Sequence, residues 1–146
     1  MHFTKKNWVW TIVLIATVIF CTSILILHIK NWVGYNDNSL RLRSGLYAVE
    51  IPYTQMDSIA MVDRIPPMER LHGFSALEKE KGVFRQFKDS LTDKKIHVFV
   101  DNIHQQKVKL VYKDSTYVYF NLKDSVETIQ LMDRLKLKIS SPIDPN

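Results

Sequence analysis

Twenty consecutive residues, Trp8 to Leu27 ("WVWTIVLIATVIFCTSILIL"), carry no charge. An α-helix needs about twenty apolar residues to cross a hydrocarbon core of roughly 30 Å, so this run reads as a membrane span rather than an ordinary core helix. It also exceeds the roughly 7–15 apolar residues of a secretory signal, and no small-x-small cleavage motif follows Leu27. Lys5 and Lys6 precede the run and Lys30 follows it, while Trp8, Trp10 and Trp32 lie near its ends, where amphipathic indoles favour the membrane–water interface. Those six residues are the expected membrane-interface set. The sequence thus predicts an N-terminal tail over 1–7 and one retained anchor helix over 8–28. Cys21, the single cysteine, lies inside the run, and the bulky Phe20 before it departs from the pattern of a lipid-modified cysteine.

The net charge of +5 divides unevenly. Setting Lys5, Lys6 and Lys30 aside from the 20 basic residues leaves 17 against 15 acidic ones from Asn31 onward. The soluble part is nearly neutral and lacks the concentrated basic face that nucleic-acid binding requires, so no nucleic-acid partner is expected. It has no cysteine, hence neither a disulfide framework nor a thiolate metal site.

Residues 29–39, with the polar stretch "NWVGYNDNS", read as a linker. Beyond it the period is mostly two. Leu40 and Leu42 alternate with Arg41 and Arg43, Ser44-Gly45 offers a turn, and Leu46 to Ile51 returns as a second strand. Pro52 cannot donate to a strand ladder, so the strand stops at Ile51-Pro52-Tyr53; Tyr53 to Met56 suits one short helical turn before Asp57 to Asp63 resumes. After Pro66-Pro67, the stretch "MERLHGFSALEKEKG" reads as a loop whose alternating charges, Glu78 to Lys81 among them, suit a solvated surface. Strands are expected at Val83 to Phe87, Lys95 to Val100, Val108 to Lys113 and Thr116 to Leu122, with Asp114-Ser115 as the hairpin turn. The period then changes to that of a helix: Val126, Ile129, Met132 and Leu135, with Leu131 beside them, form an apolar stripe, and Asp124 and Glu127 have capping-box spacing. Pro142 and Pro145 leave 140–146 as a tail.

These elements define an α+β chain. About seven strands form a small, strongly bent antiparallel sheet, and a C-terminal helix closes its core. The stretches "LRLRSGLYAVEIPYTQMDSIAMV", "GVFRQF", "KIHVFV" and "VKLVYKDSTYVYFNL", followed by "DSVETIQLMDRLK", resemble the bacterial pleckstrin-homology-like (PH-like) domain family. A strand pair running into Ile-Pro-Tyr, and a late hairpin with Tyr119 and Asn121 ahead of Asp124, carry the likeness over Leu40 to Lys138. The resemblance implies a PH-like barrel over 40–139 in a bacterial membrane protein, and a module that binds peptides by strand addition or lipid headgroups through basic residues.

Catalytic chemistry finds no support. No nucleophile elbow, zinc-binding helix or glycine-rich phosphate loop occurs, and the chain has only four glycines. No enzyme activity, cofactor or metal is expected; His97 and His104, with Asp101, lack a carboxylate cluster to complete a site. The expected function is a non-enzymatic, membrane-anchored scaffolding or protein-interaction module whose partners are the bilayer and a protein. The alternative is a protein that binds a lipid headgroup or small ligand at the membrane surface. For that alternative the candidate anionic-ligand contacts are Arg41, Arg43, Lys94, Lys95, Lys107 and Lys109, each near-surface charge adding about 1 kcal/mol of attraction to anionic lipid. Against a headgroup site stand the short Ser44-Gly45 connection and Glu50 on the next strand. The two lysines of the short N-terminal tail favour its cytoplasmic retention, which places the soluble domain on the outer side of a bacterial cytoplasmic membrane as a single-pass protein.

Overall fold

In the computed structural model, which describes residues 5–87, 94–113 and 115–140, the apolar run forms helix α1 (Lys5–Ile29). Among the described residues, α1 is the one helix long and apolar enough to cross a membrane, over Asn7–Ile29. The hydroxyls of Thr11, Thr17, Thr22 and Ser23 each bond the carbonyl four residues back, so the polar groups inside the run satisfy themselves within the helix. The expected tail at 1–4, the side chains of Lys5 and Lys6, and 141–146 lie outside the described residues.

The remainder is α+β, and it differs from the expected barrel. Among the described residues nine strands form two open sheets, where a small antiparallel barrel of about seven strands was expected. The first sheet contains β1 (Asn31–Tyr35), β2 (Ser39–Ser44) and β3 (Tyr47–Pro52) in the order β1-β2-β3. The second contains β4 (Met56–Val62), β5 (Met68–Ala76), β6 (Lys79–Gln86), β7 (Ile96–Val100), β8 (Lys107–Tyr112) and β9 (Thr116–Asn121). Its order is β4-β8-β9-β7-β6-β5, with β7 and β9 parallel and the other pairs antiparallel.

The two additional strands occupy stretches expected to be irregular. β1 falls within the expected linker, and β5 with the start of β6 falls within the expected loop. Both β1 and β5 are sheet edges, so neither shows the clean apolar alternation of a half-buried strand. The β5–β6 hairpin also brings Gly73 opposite Gly82, where a Cβ on either residue would fall 2.1 Å from a carbonyl oxygen of the other strand.

The interruption after Ile51 is a corner between the sheets. Pro52 ends β3, one 3-10 turn at Tyr53–Gln55 follows, and Met56 opens β4, as the proline predicts. The Tyr53 N–H donates to the Asn38 carbonyl and Lys113 N–H to the Gln55 carbonyl, so the corner is tied to the loops on both sides. Turning there lets Leu40, Leu42 and Ile51 of the first sheet pack against Phe99, Leu110 and Phe120 of the second. Helix α2 (Ser125–Ser140) contributes Leu131, Met132 and Leu135 to the same core. Each fully buried side chain of this kind stabilises the fold by about 1.5–3 kcal/mol.

Asp124 caps α2, its Oδ1 accepting the Val126 N–H at 2.8 Å. The buried face of α2 is rotated from the expected stripe. Thr128 is buried beside Leu131, while Val126 and Ile129 face solvent, because the Thr128 hydroxyl is held between the Asp124 carbonyl and the Leu122 N–H.

Candidate functional site

The last carbonyls of any α-helix lack intrahelical partners and need donors from elsewhere. In α1 three successive carbonyls receive them from the sheet domain. Leu27 O accepts the N–H of Gly45 in the β2–β3 turn at 3.2 Å. His28 O accepts the ammonium of Lys81 at 3.3 Å, and Ile29 O accepts that of Lys79. Two cations at the negative end of the helix dipole add a favourable electrostatic contribution. Gly45 is also where the His28 ring packs, and that ring meets Phe74 of β5 edge-on, with centroids 5.4 Å apart.

Lys81 is fully enclosed, contrary to the solvated surface expected for the alternating charges at 78–81. Its ammonium lies 2.7 Å from Oδ1 of Asp101, which is itself buried. The contact is a close, charge-assisted ion pair. The other oxygen, Oδ2, accepts the Asn31 N–H at 2.7 Å, where α1 gives way to β1. Burial pushes the Lys81 ammonium below the ordinary lysine range, and the Asp101 carboxylate opposes that shift. Lys79 reaches the same carboxylate at 4.0 Å.

The network extends through two asparagines. Asn31 Nδ2 donates to the carbonyls of Phe99 and Asn121, at 2.5 and 2.8 Å. Asn121 Oδ1 accepts the N–H groups of Asp101 and Asn102, while its Nδ2 donates to the carbonyls of Asn102 and Gln106. The helix end, β1 and the ends of β6, β7 and β9 are thus joined by one buried polar network. Sequence reading missed this assembly. Its available signals were period two, which puts Lys79 and Lys81 on one face of a strand, and an aspartate directly after the apolar run Val98 to Val100.

A groove opens beside the junction. Among the described residues β1 has a strand neighbour on the β2 side alone, and its other edge faces α2. A cavity of about 320 Å³ lies there, walled by Trp32, Val33, Tyr35, Leu131 and Arg134 among others. It adjoins one of about 510 Å³ that shares Tyr35 and Arg134 and reaches Tyr53 and Lys138. Cations stand over three of its aromatic rings: Lys30 over Trp32 at 4.4 Å, Arg134 over Tyr35 at 6.0 Å and Lys138 over Tyr53 at 5.5 Å.

The expected interface residues Trp8 and Trp10 are exposed on α1; Trp32 is exposed on β1, with Lys30 beside it. The six candidate anionic-ligand contacts do not converge. Arg41 pairs with Glu50 at 2.8 Å, and this bond, with one from Ser39, holds the Glu50 carboxyl below the usual range. Arg43 is exposed, opposite Trp32. Lys94 and Lys95 precede β7, at the far end of that strand from Asp101. Lys107 is buried, its ammonium donating to the carbonyls of Asp63 and Ile103, and Lys109 lies over the Tyr117 ring at 4.7 Å. His97 is half-buried on β7, and the described residues contain no group of three His, Cys, Asp or Glu that would hold a metal.

No protein-family model, curated protein or solved structure matches the chain.

Proposed function

We infer that the protein is a non-enzymatic interaction module held at a membrane by a single span, α1, and that its sheet domain is a PH-like domain. Its partner is a protein segment that adds in extended form to the outer edge of β1. The observation that carries this reading is the β1 edge beyond Asn31, which has no strand neighbour among the described residues and lines the groove against α2. Strand addition draws on main-chain hydrogen bonds, which need no sequence motif, with side-chain pockets alongside for specificity. Arg134, Lys138 and Lys30 over the groove's aromatic rings suit a segment that carries acidic and apolar residues. The Ile51-Pro52-Tyr53 corner, the β8–β9 hairpin and the packed C-terminal helix support the PH-like reading. The membrane is the bacterial cytoplasmic membrane, with the domain on its outer side.

A photo-crosslinking residue in place of Tyr35, in the full chain in its native membrane, tests the groove. A crosslink to a discrete protein is expected, and Arg134→Glu should abolish it. Crosslinks to lipid alone would overturn the protein-binding reading in favour of headgroup binding. Alkaline phosphatase fused after Asn146 tests orientation, and activity of the fusion is expected.

A further inference from the structure

Hairpin tips in water favour glycine, asparagine or aspartate. The β5–β6 tip carries Leu77, 96% exposed and in the left-handed backbone conformation at φ 55°. A leucine there is costly twice, in backbone strain and in hydrated apolar surface, and almost no packing among the described residues offsets it. Leu77 is not isolated. Leu46, 72% exposed, occupies the β2–β3 turn beside Gly45, and Ile103, 40% exposed, lies in the loop between β7 and β8.

The first two tips reach the end of α1 through neighbouring residues, and the Ile103 loop is tied to the Leu77 hairpin. Gly45 N–H bonds Leu27 O, Lys79 two residues beyond Leu77 bonds Ile29 O, and Ile103 N–H bonds the carbonyl of Glu78 at 2.8 Å. On α1 itself Ile24, Leu27 and His28 are partly covered, the spacing of a single helix face. The domain therefore reaches back along the helix to the level of Ile24, about 7 Å of axial rise before Ile29. A helix that crosses a bilayer over Asn7–Ile29 has that level inside the hydrocarbon boundary.

We propose that the loop tips carrying Leu46, Leu77 and Ile103 form a membrane-dipping collar along one side of the exit of α1, inserting into the lipid leaflet in which the helix ends. This rests on the reading of α1 as a membrane span. The occupant is lipid rather than protein because the collar is continuous with the helix surface. Leu25, Ile26 and Ile29, all exposed, belong to the same apolar region. Glu78 and Lys79, next to Leu77, mark the headgroup level, with Lys79 turned to the helix terminus.

The test uses the full chain with Cys21→Ser, reconstituted in phosphatidylcholine–phosphatidylglycerol vesicles, with an environment-sensitive fluorophore on one introduced cysteine at a time. The sites are Leu77→Cys, Leu46→Cys, Ile103→Cys, Leu14→Cys in mid-helix and Lys95→Cys at the far end of β7. Nitroxide groups placed high on the acyl chains should quench position 77 several-fold more than position 95, with a blue-shifted emission at 77; positions 46 and 103 should follow 77. Position 14 should be quenched best by nitroxides deep in the bilayer. Aqueous emission at 77, 46 and 103 with lipid emission at 14 would overturn the collar and leave the span intact. Aqueous emission at 14 would overturn the span, and the collar with it.

Discussion

Lys81 and Asp101 form an ion pair 2.7 Å long with both side chains closed to solvent, directly beneath the terminal carbonyls of α1. Removing one member of a buried pair strands the other charge, so Lys81→Met is expected to cost about 3–5 kcal/mol. Asp101→Asn added to that variant removes the stranded charge and keeps an acceptor for the Asn31 N–H. The double variant should therefore be more stable than Lys81→Met alone. Chemical unfolding of the full chain in detergent, followed by tryptophan fluorescence, measures both.

Asn121 serves four backbone groups at once. Asn121→Leu preserves bulk and removes every one of those bonds, at about 1–3 kcal/mol for each buried group left unpaired. The amides of Asp101 and Asn102 lose their acceptor, so hydrogen exchange should accelerate at these two positions beyond the change in global stability.

Gly45 meets α1 so closely that a Cβ would lie 2.0 Å from Cε1 of His28, and its φ is +61°. Gly45→Ala is expected to destabilise the junction through both the clash and the backbone. Adding His28→Ala should recover the steric part and leave the left-handed penalty of about 1–2 kcal/mol. Thermal unfolding of the three variants separates the two contributions. Full additivity would show that the ring contact has no part in the coupling.

His97 has its pKa held down, first by burial and then by the nearby Lys95 charge. In the unfolded chain the imidazole returns to its ordinary value of about 6.5, so unfolded molecules take up the proton first as the pH falls. The stability His97 contributes is complete above that value and declines as the pH drops through it toward the folded pKa. Wild type should therefore lose more melting temperature between pH 7.5 and pH 5 than His97→Gln, in parallel scans that share every other titrating group. Equal losses would show that the imidazole is not the group responsible.

The sequence made visible those elements in which local pattern and tertiary environment agree. The alternation at Leu40 and Leu42, the corner at Pro52 and the cap at Asp124 are each decided within a few residues, and each is found where expected. β1 and β5 were hidden because an edge strand buries too little for its pattern to emerge. The junction was hidden for another reason: Lys81, Asp101, Asn31 and Asn121 are remote in sequence, and their polarity suits exposed surface equally well. Burial changes what these residues do, and burial is a property of the fold. The groove, likewise, depends on α2 lying along β1, which no periodicity encodes.

Three consecutive carbonyls of α1 accept hydrogen bonds from two places in the domain, the β2–β3 turn and the start of β6, so the joint is held at more than one point. A single-pass anchor with a slack linker tethers its domain like a rope; under the proposed reading of α1 as a span, this joint would act more as a mast. Helix tilt responds to bilayer thickness, and here any change in tilt would swing the open edge of β1 through the same angle. Under the reading proposed above, the thickness of the membrane would thus set the direction in which the β1 edge faces.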